Sequence, residues 1–165
     1  MDKQLADFLK DSAVTTPVYH GTPQWLEELV ESDFGTLGTG IYFTANMEEA
    51  RVYGDCVLSA YVRFTSPWVI FLDYESVASR QEDFDHPAVE AILSLPNGRA
   101  LLNRAKKHEF GHFDFLLTKQ LKQLGFDSIV GTYPDGSMEL VAFGNNQVLI
   151  QDCLRPTSTP SCNVE

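Results

Sequence analysis

The sequence lacks any long apolar run. The longest uninterrupted one is Trp68 to Leu72, well short of the roughly 20 residues a membrane-spanning helix requires. It opens Met1-Asp2-Lys3-Gln4-Leu5, without the basic stretch and apolar segment of a secretory signal. Basic residues are scarce: 12 Lys and Arg stand against 23 Asp and Glu, a formal net charge of −11. An average field of that sign repels polyanions, so general binding to nucleic acid or to an anionic membrane is disfavoured. Cysteine is sparse too. Cys56, Cys153 and Cys162 are odd in number and in no metal-ligand spacing, the pattern of reduced thiols in a cytoplasmic setting. No internal repeat is present. Only the end, Arg155 to Glu165, has the Pro/Ser/Thr-rich composition of a disordered tail.

What remains is an ordinary globular composition, with 44% hydrophobic, 12% aromatic and 21% charged residues in a chain of 165. That length favours one domain, residues 1–153, which buries roughly two-thirds of its unfolded surface. Leu5, Phe8 and Leu9 fall at helical spacing before Asp11-Ser12. Thr16 to His20 reads as a strand stopped by Gly21. Pro23 to Val30 reads as a helix, with Thr22 as N-cap and Trp25, Leu26 and Leu29 on one face. Gly35, Gly38 and Gly40 mark a mobile loop before a strand at Ile41–Phe43, and Asn46 to Tyr53 reads as a helix. Strands follow at Val57–Val62 and Trp68–Leu72.

From Glu75 to Leu124 the pattern is helical, with Gly125 as its stop. Phe126 to Val130 returns to strand, and Gly131 to Ser137 is turn chemistry throughout. Glu139–Phe143 and Gln147–Ile150 read as a closing hairpin joined by Gly144-Asn145-Asn146. Strands at both ends with helices between them predict an α+β domain.

Four pieces stand at the strand edges: Tyr19-His20-Gly21-Thr22, Gly40 to Thr44, Tyr53-Gly54, and Glu139. Each alone fits a bland role. A His at a strand end is commonly a surface residue, Tyr42 and Tyr53 fit core aromatics with a wet tip, and Glu139 fits the outer face of a strand. Together, in this order, they resemble the His-Tyr-Glu branch of the ADP-ribosyltransferase superfamily, the branch of diphtheria toxin and the poly(ADP-ribose) polymerases. His20-Gly21-Thr22 matches its first strand end, and Tyr42 and Tyr53 match its two tyrosines at their spacing. Glu139 with Gln147-Val148 matches its third strand and the one after. Leu121 to Val130 is similar to the entry segment of small bacterial and phage-type members.

The resemblance covers residues 17–62 and 113–150. It implies a split antiparallel sheet flanked by helices, with a helical insertion at about 75–112 that is the candidate for target recognition. It implies a mono-ADP-ribosyltransferase that uses NAD+ as substrate, needs no metal, and modifies a macromolecule, a protein before a nucleic acid. Glu139, His20 and Tyr42 would be catalytic, and His20, Gly21, Thr22, Tyr42 and Tyr53 would bind NAD+. A monomer of the effector, toxin or phage-product kind is expected, acting in the cytoplasm, its own or that of a host. Ser137, two residues before Glu139, stands where arginine-modifying members carry Glu or Gln, which argues against an arginine acceptor.

Elementary chemistry makes the same residues sensible. Breaking the nicotinamide–ribose bond passes through an oxocarbenium-like state, as in glycoside cleavage. Tyrosine faces attract a flat cationic ring, Gly21 lets backbone groups approach it closely, and His20 suits a ribose hydroxyl. A carboxylate at Glu139 would hold the ribose 2′-OH and stabilise the forming cation.

Three other readings compete. His108-Glu109-Phe110-Gly111-His112 is a literal H-E-x-x-H, which on a helix would place two imidazoles on one face as in a zinc metallohydrolase. An NAD-dependent RNA 2′-phosphotransferase shares the His-Gly-Thr opening but relies on basic residues that this acidic chain has few of. An inactive binding module on the same scaffold would keep the motifs and lose the chemistry.

Overall fold

The computed structural model describes residues 2–24 and 28–154. Helix α1 (Lys3–Phe8) is capped by the Asp2 carboxylate, which accepts from the Gln4 amide. Strand β1 (Val18–Thr22) runs on through Gly21, past its expected stop. A two-residue strand, β2 (Phe34–Gly35), precedes β3 (Ile41–Thr44). Helix α2 (Met47–Ala50) begins at an Asn46 cap and carries Glu48 and Glu49 in its first turn, where the helix dipole favours them. A 3₁₀ turn, Arg51–Tyr53, completes the expected Asn46–Tyr53 helix. Then come β4 (Cys56–Val62), β5 (Pro67–Phe71), α3 (Pro87–Leu93) and α4 (Gly98–Ala105). The chain continues through β6 (Phe113–Asp114), α5 (Phe115–Gln123), β7 (Ser128–Thr132), β8 (Met138–Ala142) and β9 (Val148–Leu154).

Seven strands form one sheet in the order β5-β7-β8-β3-β1-β4-β9. Among the described residues only the β5–β7 pair is parallel, so the fold is α+β with a mostly antiparallel sheet flanked by helices. The centre is its weakest seam: β1 and β3 share a single register pair, Tyr19↔Thr44. Beyond that pair the two halves part, and this is the split the resemblance implies. The ribbon β2–β6 pairs Phe34↔Asp114 and Gly35↔Phe113 apart from the main sheet.

Two apolar clusters hold the halves. One packs Val89 and Ile92 of α3, Leu101 and Leu102 of α4, and Leu117 and Leu121 of α5 on Ile70, Ile129 and Val141. The other joins Val18, Leu58 and Val62 to Ile41, Phe43 and Leu140. Each such side chain contributes about 1.5–3 kcal/mol when fully buried. The inner faces of α3 and α4 are therefore core. The thiols of Cys56 and Cys153 face each other across β4 and β9, with their Sγ atoms 2.7 Å apart. No helix among the described residues is long and apolar enough to cross a membrane.

Five expectations are corrected. The closing hairpin does not form: β8 lies between β7 and β3, whereas β9 crosses to the opposite edge and pairs with β4. Both sides of β8 are occupied, and the Asn145 side chain instead grips Leu29, accepting from its amide at 3.2 Å and donating to its carbonyl at 2.8 Å. The Pro23–Val30 helix is absent where it is described: residues 23, 24 and 28–30 are bends and coil, and Trp25 to Glu27 lie outside the described residues. Thr22 ends β1 rather than capping a helix, and its hydroxyl donates to the Gln24 carbonyl at 2.9 Å.

The expected helical stretch 75–124 is helical only in α3, α4 and α5: residues 75–86 are turns, bends and coil, and a 3₁₀ turn at Glu109–Gly111 and β6 separate α4 from α5. Gly131 and Thr132 extend β7 into the expected turn. The tail 155–165 also lies outside the described residues.

Candidate active site

A cleft of about 660 Å³ opens where the sheet parts, within the usual range of small-molecule sites. His20 and Gly21 of β1, Tyr42 of β3, Tyr53 and Glu139 of β8 all line it. Thr22 does not. It is buried at 3% exposure, with its hydroxyl committed to Gln24.

His20 replaces the hydrogen bond the parted strands no longer make. Its Nδ1 lies 2.7 Å from the Tyr42 carbonyl, and a carbonyl only accepts, so Nδ1 carries the proton. Burial pulls the imidazole below its ordinary range, with the Tyr42 carbonyl partly opposing. The neutral ring then keeps Nε2 as an acceptor, suited to a hydroxyl donor.

Gly21 is required by packing. A Cβ there would sit 1.7 Å from the Ala50 carbonyl oxygen and 3.1 Å from the Tyr53 Cβ. This bare contact lets β1 press against the turn that presents Tyr53. The Tyr53 ring itself is 72% exposed at the rim.

Tyr42 uses its hydroxyl inward. It donates to the Gly38 carbonyl at 2.6 Å and accepts from the Leu37 amide at 3.1 Å. A side chain on Gly35 would strike that hydroxyl at 2.3 Å. Thr118 forms a second clasp on the same loop, accepting from the Thr39 amide and donating to its carbonyl, both at 2.9 Å. The glycine-rich segment expected to be mobile is thus fastened at two points, and part of it lines the cleft through Gly35 and Thr36.

Glu139 sits opposite Thr44 of β3 and Gly131 of β7. Its Oε2 accepts from the Tyr133 hydroxyl at 3.0 Å. Its Oε1 is buried and has no hydrogen-bond partner. Burial pushes the carboxyl up, opposed by the hydroxyls of Tyr133 and Thr36. A buried carboxylate oxygen left unpaired is costly and calls for a donor from outside.

Sequence reasoning missed several lining residues: Tyr133, Tyr74, Phe34 and His112. Tyr133 lies in a segment that read only as turn, and no pattern marked it. His112 was visible within H-E-x-x-H, but with another meaning. That motif forms no α-helix. Phe110 and Gly111 take left-handed φ of 58° and 66°, His108 turns to Asp114 at 3.4 Å, and Phe34 stacks on His108. The two imidazoles therefore share no helical face. Among the described residues no three His, Cys, Asp or Glu side chains gather as a metal site.

A mostly antiparallel sheet parted beside these side chains is the architecture of the ADP-ribosyltransferases. Residues 14–150 match the family model of the ADP-ribosyltransferase in polyvalent proteins, and the chain belongs to that family. Among solved structures, one described as the crystal structure of an anti-CRISPR protein is similar at 16% identity and a TM-score of 0.43, covering 82% of this chain and 95% of its own. No curated protein matches the chain.

Proposed function

We propose that the protein is a mono-ADP-ribosyltransferase of the His-Tyr-Glu type, which cleaves NAD+ at the nicotinamide–ribose bond and transfers ADP-ribose to a protein. One observation carries this reading: Glu139, whose buried Oε1 has no hydrogen-bond partner, lines one cleft together with His20, Gly21, Tyr42 and Tyr53. The Tyr42 and Tyr53 rings provide faces for the pyridinium. The ribose 2′-OH would donate to Glu139 Oε1, and a second ribose hydroxyl to His20 Nε2.

As the glycosidic bond breaks, nicotinamide leaves with the electron pair and becomes neutral. The cation that forms at C1′ is stabilised by the Glu139 carboxylate, in a partly dry site where charge acts strongly. The acceptor's nucleophile gives its electron pair to C1′ and its proton passes, through Glu139, to solvent. Thr22 supports the site from β1 rather than touching substrate.

Among the described residues, those lining the cleft include no Lys or Arg. That favours a protein acceptor over phosphorylated RNA, and leaves the diphosphate of NAD+ to donors such as the Thr36 hydroxyl and the His112 ring.

The test is incubation with labelled NAD+ and a cell lysate. Label transfer lost in Glu139→Ala and kept in Glu109→Ala is expected. Transfer that survives Glu139→Ala overturns the reading, and NAD+ binding without turnover in the unaltered protein points to an inert module.

A further inference from the structure

Glu139 has two oxygens with opposite fates. Oε2 is held by the Tyr133 hydroxyl at 3.0 Å, while Oε1 is buried and unpartnered. Tyr133 is itself held on three sides. Its ring stacks on Tyr74, with centroids 5.7 Å apart and planes 17° from parallel. Its amide donates to the Ser137 carbonyl and its carbonyl accepts from the Gly136 amide, both at 2.9 Å. The turn between is fixed by Asp135, which accepts from the Ser137 amide and hydroxyl at 2.9 and 2.7 Å. Gly136, at φ 85°, takes the left-handed backbone that closes it.

The order of strands adds a second argument. Across the sheet run β5, β7, β8, β3 and β1. Tyr74 and Tyr133 follow β5 and β7, Glu139 lies on β8, and Tyr42 and His20 lie on β3 and β1. Glu139 thus has the proposed NAD+-binding side chains on one flank and a braced tyrosine pair on the other. A single-bonded carboxyl would rotate about its last torsion. A donor fixed from the flank away from His20 stops that rotation and leaves Oε1 without a partner.

We propose that Tyr133 is the positioning residue of the site, clamping Oε2 of Glu139 so that Oε1 alone is offered to the ribose hydroxyl, with Tyr74 as the brace that keeps Tyr133 in place. This rests on the transferase reading for its consequence, but the clamp itself is a property of the free protein. Hydrogen bonding from Tyr133 favours the carboxylate form. Removing it therefore raises the pH at which Glu139 takes up its proton and frees the carboxyl to turn. The proton acceptor of the reaction is then both misplaced and present in its anionic form over a narrower pH range.

The experiment compares the unaltered full chain with Tyr133→Phe and Tyr74→Ala by two measurements. The first follows the Glu139 carboxyl by ¹³C NMR without substrate. Its titration midpoint is expected to move upward in Tyr133→Phe and by less in Tyr74→Ala. The second follows nicotinamide release with water as acceptor, in which water oxygen bonds to C1′, nicotinamide departs and one proton enters solution. In Tyr133→Phe, kcat is expected to fall about 10- to 100-fold, the scale of a small misplacement at a reacting centre. KM for NAD+ stays within about twofold, as for an interaction made in the transition state, and the acid limb of the rate profile moves upward. A merely structural tyrosine would lower the melting temperature without moving the titration or the acid limb. An unmoved Glu139 titration in folded Tyr133→Phe overturns the clamp. A shifted titration in a protein that neither binds nor cleaves NAD+ keeps the clamp and refutes the transferase reading instead.

Discussion

Tyr42→Phe separates two jobs that one side chain performs. The ring, which the proposed mechanism uses, survives the substitution, and only the hydroxyl is lost. That hydroxyl accepts from the Leu37 amide at 3.1 Å and donates to the Gly38 carbonyl at 2.6 Å. Leu37 is fully buried and Gly38 is buried, so water does not readily replace the lost partner. Each orphaned backbone group costs about 1–3 kcal/mol, less what is regained by no longer burying a phenol. A net loss of about 2–4 kcal/mol follows, large beside the roughly 5–15 kcal/mol of a whole domain.

The damage is local, because the Thr118 clasp on Thr39 remains. Hydrogen exchange is the assay that resolves it. The Leu37 amide should exchange about 30- to 700-fold faster, at about 1.4 kcal/mol per tenfold, while the Thr39 amide changes far less. Urea unfolding should show a reduced midpoint with an unchanged slope. A Leu37 amide that exchanges at the original rate, with stability within about 0.5 kcal/mol, would refute the view that Tyr42 fastens the loop.

Three further outcomes follow from the same geometry. Gly21→Ala forces β1 away from the Ala50 carbonyl, which its new Cβ would meet at 1.7 Å; a loss of about 1–3 kcal/mol and of NAD+ cleavage is expected by thermal melting and nicotinamide release. His20 has an imidazole held below its ordinary 6.5, by burial first, so the unfolded chain takes up the proton sooner as pH falls. Stability from this group is present above 6.5 and lost below it, and His20→Gln should flatten the drop in urea midpoint between about pH 7.5 and about pH 5.5. Glu139 is the reverse case, with burial raising its carboxyl. Its charge costs stability above the unfolded value, so Glu139→Gln should raise the melting temperature at neutral pH while abolishing turnover.

Much of the candidate cleft was legible through the resemblance, whose motifs sit at strand ends and caps. His20 and Gly21 lie in β1, Tyr42 lies in β3, and Asn46 starts the turn that delivers Tyr53, each within a few residues of a strand or cap signal. Contacts between distant segments were not legible. Gly144-Asn145-Asn146 has the composition of a hairpin, yet Asn145 binds Leu29, which is 116 positions away, and Gln147 spends its side chain on the Phe143 amide and the Asp127 carbonyl. The bonds to Leu29 and Asp127 are long-range, and with them β9 pairs with β4, against local turn preference. H-E-x-x-H failed for a related reason. Asp114 caps α5 through the Leu116 amide while binding Arg104 and His108, and the chain turns at Phe110 to allow it. Tyr133 had no signal at all, since its meaning lies in where β7 and β8 bring its hydroxyl.

The parting of the sheet explains why one set of residues serves both fold and cleft. An antiparallel pair normally satisfies its backbone groups residue by residue, but β1 and β3 do so only at Tyr19↔Thr44. Past that point the Tyr42 carbonyl would face the gap unpaired, at a cost no buried strand bears for long. His20 supplies the missing donor, and in doing so it is held in one tautomer with its second nitrogen free. Gly21, one residue on, allows the α2 turn to close against the strand that has lost its neighbour. The gap is thus lined by the side chains that make it tolerable. A substitution that restored strand pairing here would strengthen the sheet and close the cleft, and one that removed His20 alone would leave the cleft open with an orphaned carbonyl in its wall.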